Sequence, residues 1–316
     1  MVSIGRIVGG AVLMLGCGGG VLPRSGSTTT TANIAIDDEI GSICVTTADG
    51  RYRCWDPDGA PVVATGLPDV AYLRVQLARE GLIGLTQWGF VHAASIPVPT
   101  NLPLIADFRA TNLWGFQGLC VRTTGGAFGF GNFPTASDLA TPVWTMDSGP
   151  FSYATCAYEG LTCAVRANGT LAGHCQSSLP GSDWVEVAKS ANIACGLTTT
   201  GEVRCGQGQG STNPSSAEAA PVFAPGPYGQ VAAMWSVACA LRVDRELSCV
   251  RSDGASIQVP PGPFVFIEAG RDLLCAIRLD GTTSCFRQDV PGTLLWTADP
   301  AVTALLPLSP AIDPGW

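Results

Sequence analysis

The sequence predicts an all-β fold, a seven-bladed β-propeller built from seven degenerate repeats of about 40 residues. Three observations carry this. One hairpin recurs along the chain, with a cysteine, a short apolar strand, a turn, a second strand and a cysteine ten residues after the first. A glycine marks its turn. A further strand precedes each hairpin, and no stretch shows helical periodicity.

The clear copies are four. Ile43-Cys44-Val45 runs through Asp49-Gly50 to Cys54-Trp55, and Ala194-Cys195-Gly196-Leu197 through Gly201 to Cys205. Ala238-Cys239-Ala240-Leu241 runs through Asp244 to Cys249, and Leu274-Cys275-Ala276-Ile277 through Asp280-Gly281 to Cys285. Three degenerate copies fill the gaps. Ile83-Gly84-Leu85 leads through Trp88-Gly89 to Ala93 with both cysteines replaced. Cys120-Val121 leads through Gly125-Gly126 to Phe130 with only the first kept, and Cys163-Ala164-Val165 through Asn168-Gly169 to Cys175 with a two-residue delay. The turn marker falls at 50, 89, 126, 169, 201, 245 and 281, where position 245 is Arg245. The intervals run from 32 to 44 residues, and the variation falls in the linking loops.

Asp-Gly and Asn-Gly between apolar strands predict type I′ hairpins. The preceding strands are Val70-Ala71-Tyr72-Leu73, Trp184-Val185-Glu186-Val187, Val231-Ala232-Ala233-Met234 and Phe264-Val265-Phe266-Ile267. Proline-rich loops at Pro61, Pro97-Val98-Pro99, Pro142, Pro221 and Pro260-Pro261 separate the units. A propeller closes by mixing its first and last strands, which predicts that Leu294 to Leu306 pairs near Ile34 to Ile36. A linear β-solenoid is the structural alternative.

The composition agrees. Glycine (39) and proline (23) are abundant in 316 residues, and only 13% are charged, as many short strands joined by tight turns require. A net charge of −8 lacks the basic footprint that phosphate neutralisation needs, which argues against nucleic-acid binding. No run of about 18 or more apolar residues reads as a membrane span.

The N-terminus reads as an address. Arg6 gives a positive start, Ile7 to Leu15 a short apolar stretch, and Met14-Leu15-Gly16-Cys17 follows. This resembles a bacterial lipoprotein signal at 1–17, with cleavage before Cys17 and acylation of its thiol. The alternative is an ordinary secretory signal cleaved elsewhere, and both export the protein. Residues 18–31, with Gly18-Gly19-Gly20 and Ser25 to Thr31, form a polar tether, and 32–316 the propeller. Thirteen cysteines, less Cys17, leave an even number, as a disulfide framework in an oxidising compartment requires.

The repeat resembles the regulator-of-chromosome-condensation family in its secreted bacterial, cysteine-bearing form. The pattern is Cys-Ala-Leu-x-x-Asp-Gly-x-Val-x-Cys-Trp. Cys275-Ala276-Ile277-Arg278-Leu279-Asp280-Gly281, led in by Glu268-Ala269-Gly270, matches best. Ile193-Ala194-Cys195-Gly196-Leu197 with Gly201-Glu202-Val203-Arg204-Cys205 is similar. The resemblance covers residues 32 to 306 and implies a seven-bladed propeller acting by protein–protein contact. The family's Trp-Gly-x-Asn-x-x-Gly-Gln-Leu-Gly continuation survives only in Cys54-Trp55-Asp56, Gly129-Phe130-Gly131-Asn132 and Cys205-Gly206-Gln207-Gly208, so no inherited partner follows.

Cysteines ten apart across a short turn sit nearly opposite each other, close enough for a bridge. This predicts Cys44–Cys54, Cys195–Cys205, Cys239–Cys249 and Cys275–Cys285. For the rest, Cys163–Cys175 with Cys120–Cys156, or Cys156–Cys163 with Cys120–Cys175, are both open. Cys156, Cys163, His174 and Cys175 do not match a Cys-x₂-Cys zinc pattern, so no metal or other cofactor is expected.

No catalytic constellation appears: no Gly-x-Ser-x-Gly elbow, no His-Glu-x-x-His and no P-loop. His92 and His174 read as surface or inter-blade residues, and Asp37-Asp38-Glu39 as a solvated strand end. Asn168-Gly169-Thr170 matches a glycosylation sequon, but the turn explains it better. Trp55, Trp88, Trp184, Trp235 and Trp296 read as packing residues, while Trp114 with Phe116 is the expected contact site. The function expected is a non-enzymatic binding scaffold of the bacterial cell envelope, or an extracellular one. It would present propeller loops to an envelope or secreted protein, or to a glycan, and touch membrane only through its anchor. An envelope enzyme using pairs such as Asp37 with Asp38 or Asp244 with Glu246 on a glycan, and a structural surface protein, are the alternatives.

Overall fold

The computed structural model describes residues 33–36, 43–46, 50–55, 60–62, 66–78, 81–86, 88–94, 98, 102–113, 116–133, 143–157, 161–190, 192–207, 222–259, 261–270, 273–279, 283–289 and 293–297. These hold 25 strands in seven antiparallel sheets, and no helix among the described residues. The first sheet holds β1 (Asn33–Ile36), β2 (Ile43–Thr46), β3 (Tyr52–Trp55) and β4 (Pro61–Val62). The second holds β5 (Tyr72–Ala78), β6 (Gly81–Thr86) and β7 (Val91–Ala93), and the third β8 (Ile105–Leu113), β9 (Phe116–Thr123), β10 (Phe128–Phe133) and β11 (Val143–Asp147). The fourth holds β12 (Phe151–Ala157), β13 (Leu161–Arg166) and β14 (Leu171–Gly173), and the fifth β15 (Trp184–Lys189), β16 (Ile193–Thr198) and β17 (Val203–Gln207). The sixth holds β18 (Tyr228–Met234), β19 (Val237–Arg242), β20 (Leu247–Arg251) and β21 (Ser256–Ile257), and the seventh β22 (Phe264–Ala269), β23 (Leu273–Arg278), β24 (Thr283–Asp289) and β25 (Thr293–Thr297).

Each sheet is consecutive in sequence, so every strand pairs with its chain neighbour. The expected pairing of the Leu294 region with Ile34–Ile36 does not form. Leu294 pairs with Gln288 and Leu295 with Arg287 inside the seventh sheet, while Ile34 pairs with Val45 inside the first. The fourth strand of the last sheet is thus supplied locally. Residues 298–306 lie outside the described residues.

The second strand of the second, fifth, sixth and seventh sheets is buried along nearly its whole length, covered on both faces. All six residues of β16 are buried. Seven apolar clusters join neighbouring sheets, one at each junction. Val231, Ala238 and Ala240 of the sixth sheet, for example, pack on Ile193, Cys195 and Leu197 of the fifth. One of the seven joins the last sheet to the first, with Leu273, Cys275 and Ile277 against Ile34, Ile36 and Trp55.

The hairpin turns differ from expectation. Gly201 N donates to Thr198 O (3.0 Å) and Thr198 N to Glu202 O (2.9 Å), leaving a three-residue loop whose one positive φ is 79° at Gly201. The same two bonds form at Thr123–Ala127, Arg166–Thr170 and Arg242–Glu246. This is a type I turn closed by a G1 bulge, not a type I′ turn. Parity gives the reason. Directly opposed residues an even number apart, like Cys195 and Cys205, enclose an odd loop, and a two-residue I′ turn cannot satisfy that.

The turn marker also joins one sheet to the next. The carbonyls of Gly50, Gly89, Gly126, Gly169, Gly201 and Arg245 accept from the amides of Tyr72, Ile105, Phe151, Trp184, Tyr228 and Phe264, at 2.7–3.0 Å. Each acceptor has a positive φ, from 72° to 84°. Each donor opens the first strand of the following sheet, and a β-bulge follows it in all six.

Six disulfides are formed: Cys44–Cys54, Cys195–Cys205, Cys239–Cys249, Cys275–Cys285, Cys163–Cys175 and Cys120–Cys156. The four ten-residue pairs are directly opposed in register, with Cα atoms 4.0–4.1 Å apart. In the fifth sheet the hydrogen-bonded Thr198–Glu202 pair fixes the alternation, so Cys195 and Cys205 fall at a non-hydrogen-bonded pair, where the backbones approach closest. Cys120–Cys156 links the third sheet to the fourth.

Candidate interaction face

The described turns that carry the marker lie at one end of the sheets, because each following first strand begins beside the preceding marker. On the second sheet this end carries Trp88 and Phe90, 57% and 56% exposed, on either side of Gly89. Leu104, 46% exposed, lies beside Gly89 between them: a Cβ placed on Gly89 would stand 3.2 Å from that of Leu104. The patch is held rigidly. Gly89 N donates to Thr86 O, Phe90 N to Thr86 Oγ1 (3.1 Å), and Ile105 N to Gly89 O.

The repeats themselves show how unusual this is. The residue before the turn marker is Gly125, Asn168, Thr200 or Asp244 in other hairpins, and the residue after it is Arg51, Ala127, Thr170, Glu202 or Glu246. Only small or polar side chains occupy these positions, apart from Trp88 and Phe90. Packing does not account for the two aromatics, since both point into solvent.

The fourth to seventh sheets present a different surface at the same end. Arg166 lies over Phe151, Arg204 over Trp184, Arg242 over Tyr228 and Arg278 over Phe264, with guanidinium-to-ring distances of 4.8–5.8 Å. These are the same aromatic residues that open the first strands. Arg166 also meets Asp147 at 3.6 Å, Arg204 meets Glu202 at 2.7 Å and Asp183 at 3.4 Å, and Arg242 meets Asp244 at 3.2 Å. The hydrogen bond from Arg204 holds the Glu202 carboxyl below its ordinary range. Exposed pairs like these add little stability, but they leave this sector zwitterionic. The arginines of the fourth to sixth sheets are thus paired with carboxylates, whereas Arg278 donates to Pro261 O.

Under the patch, the Tyr72 ring lies over Gly84, where any side chain would collide with it. Its hydroxyl donates to Pro68 O (3.0 Å) and lies 3.1 Å from His92 Nδ1. Burial, with smaller contributions from Tyr52 and Asp69, pushes the Tyr72 phenol up to about 12. His92 is half-buried inside the second sheet, and its ring meets Tyr72 edge-on.

The anticipated contact pair is not brought into view. Trp114 lies outside the described residues, and Phe116 opens β9 with its side chain undescribed. Cys17 and Asp37-Asp38-Glu39 also lie outside them. Trp55 and Trp184 are buried as expected of packing residues, and Trp235 is half-buried. Trp88, expected among these, is instead exposed, because the three-residue turn carries it to the loop tip. Position in the repeat was the signal that would have found it. Asp244 is engaged by Arg242 and by Glu246 N, so the Asp244/Glu246 pair is a turn rather than a pair of convergent acids. Among the described residues no cluster of His, Cys, Asp or Glu could hold a metal ion.

At the opposite end, Lys189 closes β15 with its side chain buried, and Nζ has no hydrogen-bond partner among the described residues. Desolvation lowers its amine to about 8.

No protein-family model and no curated sequence matches the chain. Solved structures do. The ectodomain of the Arabidopsis thaliana receptor kinase ACR4, described as a CRINKLY WD40 ectodomain, has a TM-score of 0.54 at 14% identity, covering 83% of this chain and 97% of that one. The entire ectodomain of the Physcomitrella patens receptor kinase CR4 has a TM-score of 0.55 at 16% identity, covering 83% and 74%. The β-propeller domain of Myceliophteria thermophila Cps50 (Swd1) has a TM-score of 0.52 at 13% identity, covering 79% and 94%. At these identities the likeness concerns fold alone, and the fold is a β-propeller.

Proposed function

We propose that the seven sheets are the seven blades of a closed propeller, and that the chain is a non-enzymatic, extracytoplasmic scaffold which binds a protein partner through its turn face. The observation that carries this is the exposed Trp88–Phe90–Leu104 patch on a rigid hairpin. Exposed aromatic anchors of this kind dominate protein interfaces, and the arginine–carboxylate pairs of the fourth to sixth sheets lie at the same end of their sheets.

Closure of the ring is supported by the core shared between the last sheet and the first. It is supported again by the buried ion pair of Arg74 in β5 with Glu268 in β22, at 3.1 Å, which reaches past the first sheet. The six disulfides suit an oxidising compartment. Export by the N-terminal segment, anchoring through acylated Cys17 and kinship with secreted regulator-of-chromosome-condensation propellers belong to the same proposal, on the sequence features given above.

Affinity capture with the oxidised chain, against envelope and secreted proteins of the source cell, tests the reading. A partner held by the wild type and lost by Trp88→Ser/Phe90→Ser at unchanged melting temperature is the expected result. A partner retained by the double variant would move the site elsewhere on the propeller.

A further inference from the structure

The seventh sheet delivers the rest of the chain to the face that carries Trp88. β25 runs antiparallel to β24 and ends with Thr297 opposite Cys285, close to the start of β24. That is the turn end, where Leu279 N donates to Pro263 O just as Val243 N does to Pro227 O in the sheet before. Other outer strands run the same way, and each feeds the first strand of the next sheet: β4 leads to β5, β11 to β12 and β21 to β22. The seventh sheet packs against the first, whose own first strand, β1, comes from the start of the sequence. Residues 298–316 therefore leave β25 at the turn end with the customary place already filled.

The surface ahead of them is apolar. Leu279 is exposed where β23 ends, and Val70 at the joint of the first and second sheets, where Ala71 lies against Gly50. Leu104, Trp88 and Phe90 follow. The patch lies two sheets on, since the core of Leu273 and Ile34 joins the seventh to the first, and that of Cys54 and Val75 the first to the second. Two face-to-face packings span roughly 20 Å, whereas a polyproline chain from Thr297 to Pro307 covers about 30 Å.

The residues themselves suit that surface. Asp299 and Asp313 are the only charged side chains from 298 to 316, and Val302, Leu305 and Leu306 lead into Pro307-Leu308-Ser309-Pro310. Prolines spaced in this way favour a polyproline helix, which docks on aromatic surfaces and has little entropy left to lose. Trp88 and Phe90, on a hairpin held by Thr86, offer such a surface.

We propose that residues 298–316 fold back across the turn face and cover the Trp88–Phe90–Leu104 patch of the same molecule, with Pro307 and Pro310 against the two aromatics. This rests on the reading of the patch as a binding surface and adds its regulation, because a partner must displace the segment. A tethered segment acts at about 1 mM, so an affinity of only about 0.1 mM covers the patch roughly ten to one and weakens apparent partner binding about tenfold.

The test uses the full oxidised chain with Phe90→p-benzoylphenylalanine, irradiated at low concentration and mapped by tryptic peptides. No lysine or arginine follows Arg287, so residues 288–316 travel as one fragment. That fragment is expected to be crosslinked to the one holding position 90, through a residue between 298 and 316, within one chain and in a yield unchanged by dilution. Leu305→Ser/Leu306→Ser/Leu308→Ser should lower the yield about tenfold at an unchanged circular dichroism spectrum. Crosslinks only between two chains, no crosslink to residues 298–316, or an undiminished yield in the serine variant would overturn the proposal. The scaffold reading is judged separately, by the partner lost from Trp88→Ser/Phe90→Ser: it can stand with the patch uncovered, and the cover can stand with no partner captured.

Discussion

The carbonyl of Arg245 accepts a 2.8 Å hydrogen bond from the amide of Phe264, and to do so Arg245 adopts φ 72°. Five other sheets make this joint with glycine. An L-residue in the left-handed region costs about 1 kcal/mol, and glycine is nearly free of that cost. Arg245→Gly should therefore raise stability by about 1 kcal/mol in urea unfolding. Gly201→Ala should do the reverse, by about 1–2 kcal/mol, because its Cβ would also come 3.0 Å from Pro227 Cα.

The Arg74–Glu268 pair is buried, with side chains 11% and 3% exposed, and Arg74 Nε has no partner. Glu268→Ala strands a guanidinium in the interior and should cost about 3–5 kcal/mol. Arg74→Met with Glu268→Leu should recover most of that loss. A double-mutant cycle in denaturant measures the coupling. A loss in the double variant equal to the sum of the two single losses would show that the pair is not coupled and does not hold the second and seventh sheets together.

Lys189 makes stability depend on pH in a definite direction. Its folded amine titrates at about 8, against 10.5 for an ordinary lysine. Below about 8 both states are protonated and the full desolvation penalty applies. Between there and 10.5 the unfolded chain binds the extra proton, so stability rises with pH by up to about 3 kcal/mol. Lys189→Met should be more stable than the wild type at pH 7, and the difference should shrink toward pH 10. Chemical denaturation across that range checks the slope. A wild-type curve parallel to that of Lys189→Met would refute it.

The disulfides should differ in value. A ten-residue loop contributes about 3 kcal/mol in the chain-entropy model, and the 36-residue Cys120–Cys156 loop about 4 kcal/mol. Paired Cys→Ala variants at Cys195/Cys205 and at Cys120/Cys156 should lose stability in that order. The second pair also ties two sheets together, so its removal should loosen their junction in hydrogen exchange, whereas loss of Cys195–Cys205 should stay within one sheet.

Much of this was legible in the sequence, and the rest failed for identifiable reasons. The cysteine hairpins and the turn marker, with Arg245 in the place of a glycine, correspond to the observed turns. The type I′ expectation weighed the Asp-Gly signal over the even cysteine spacing, although the spacing alone fixes loop parity. Strand exchange at the seam was expected from the general habit of closed rings, yet β25 completes its own sheet. Trp88 was read as packing because tryptophan usually packs. Its place next to the turn glycine, where other hairpins carry Asn168 or Asp244, is the better guide. Lys189 was legible too, as the only lysine of the chain. Its burial was not, since five residues after Trp184 becomes an interior position only through the bulge beyond that residue.

The joint from each turn to the following sheet is made of main-chain atoms. Its geometry asks for a left-handed residue and an amide, and for little else. The second hairpin has lost both cysteines and gained two aromatics, and still Ile105 N meets Gly89 O at 2.9 Å. Side chains are thus free to drift while the joint from sheet to sheet is kept. A chain assembled this way can wander beyond the reach of sequence comparison, and can turn one loop into a binding surface, without its neighbours registering the change.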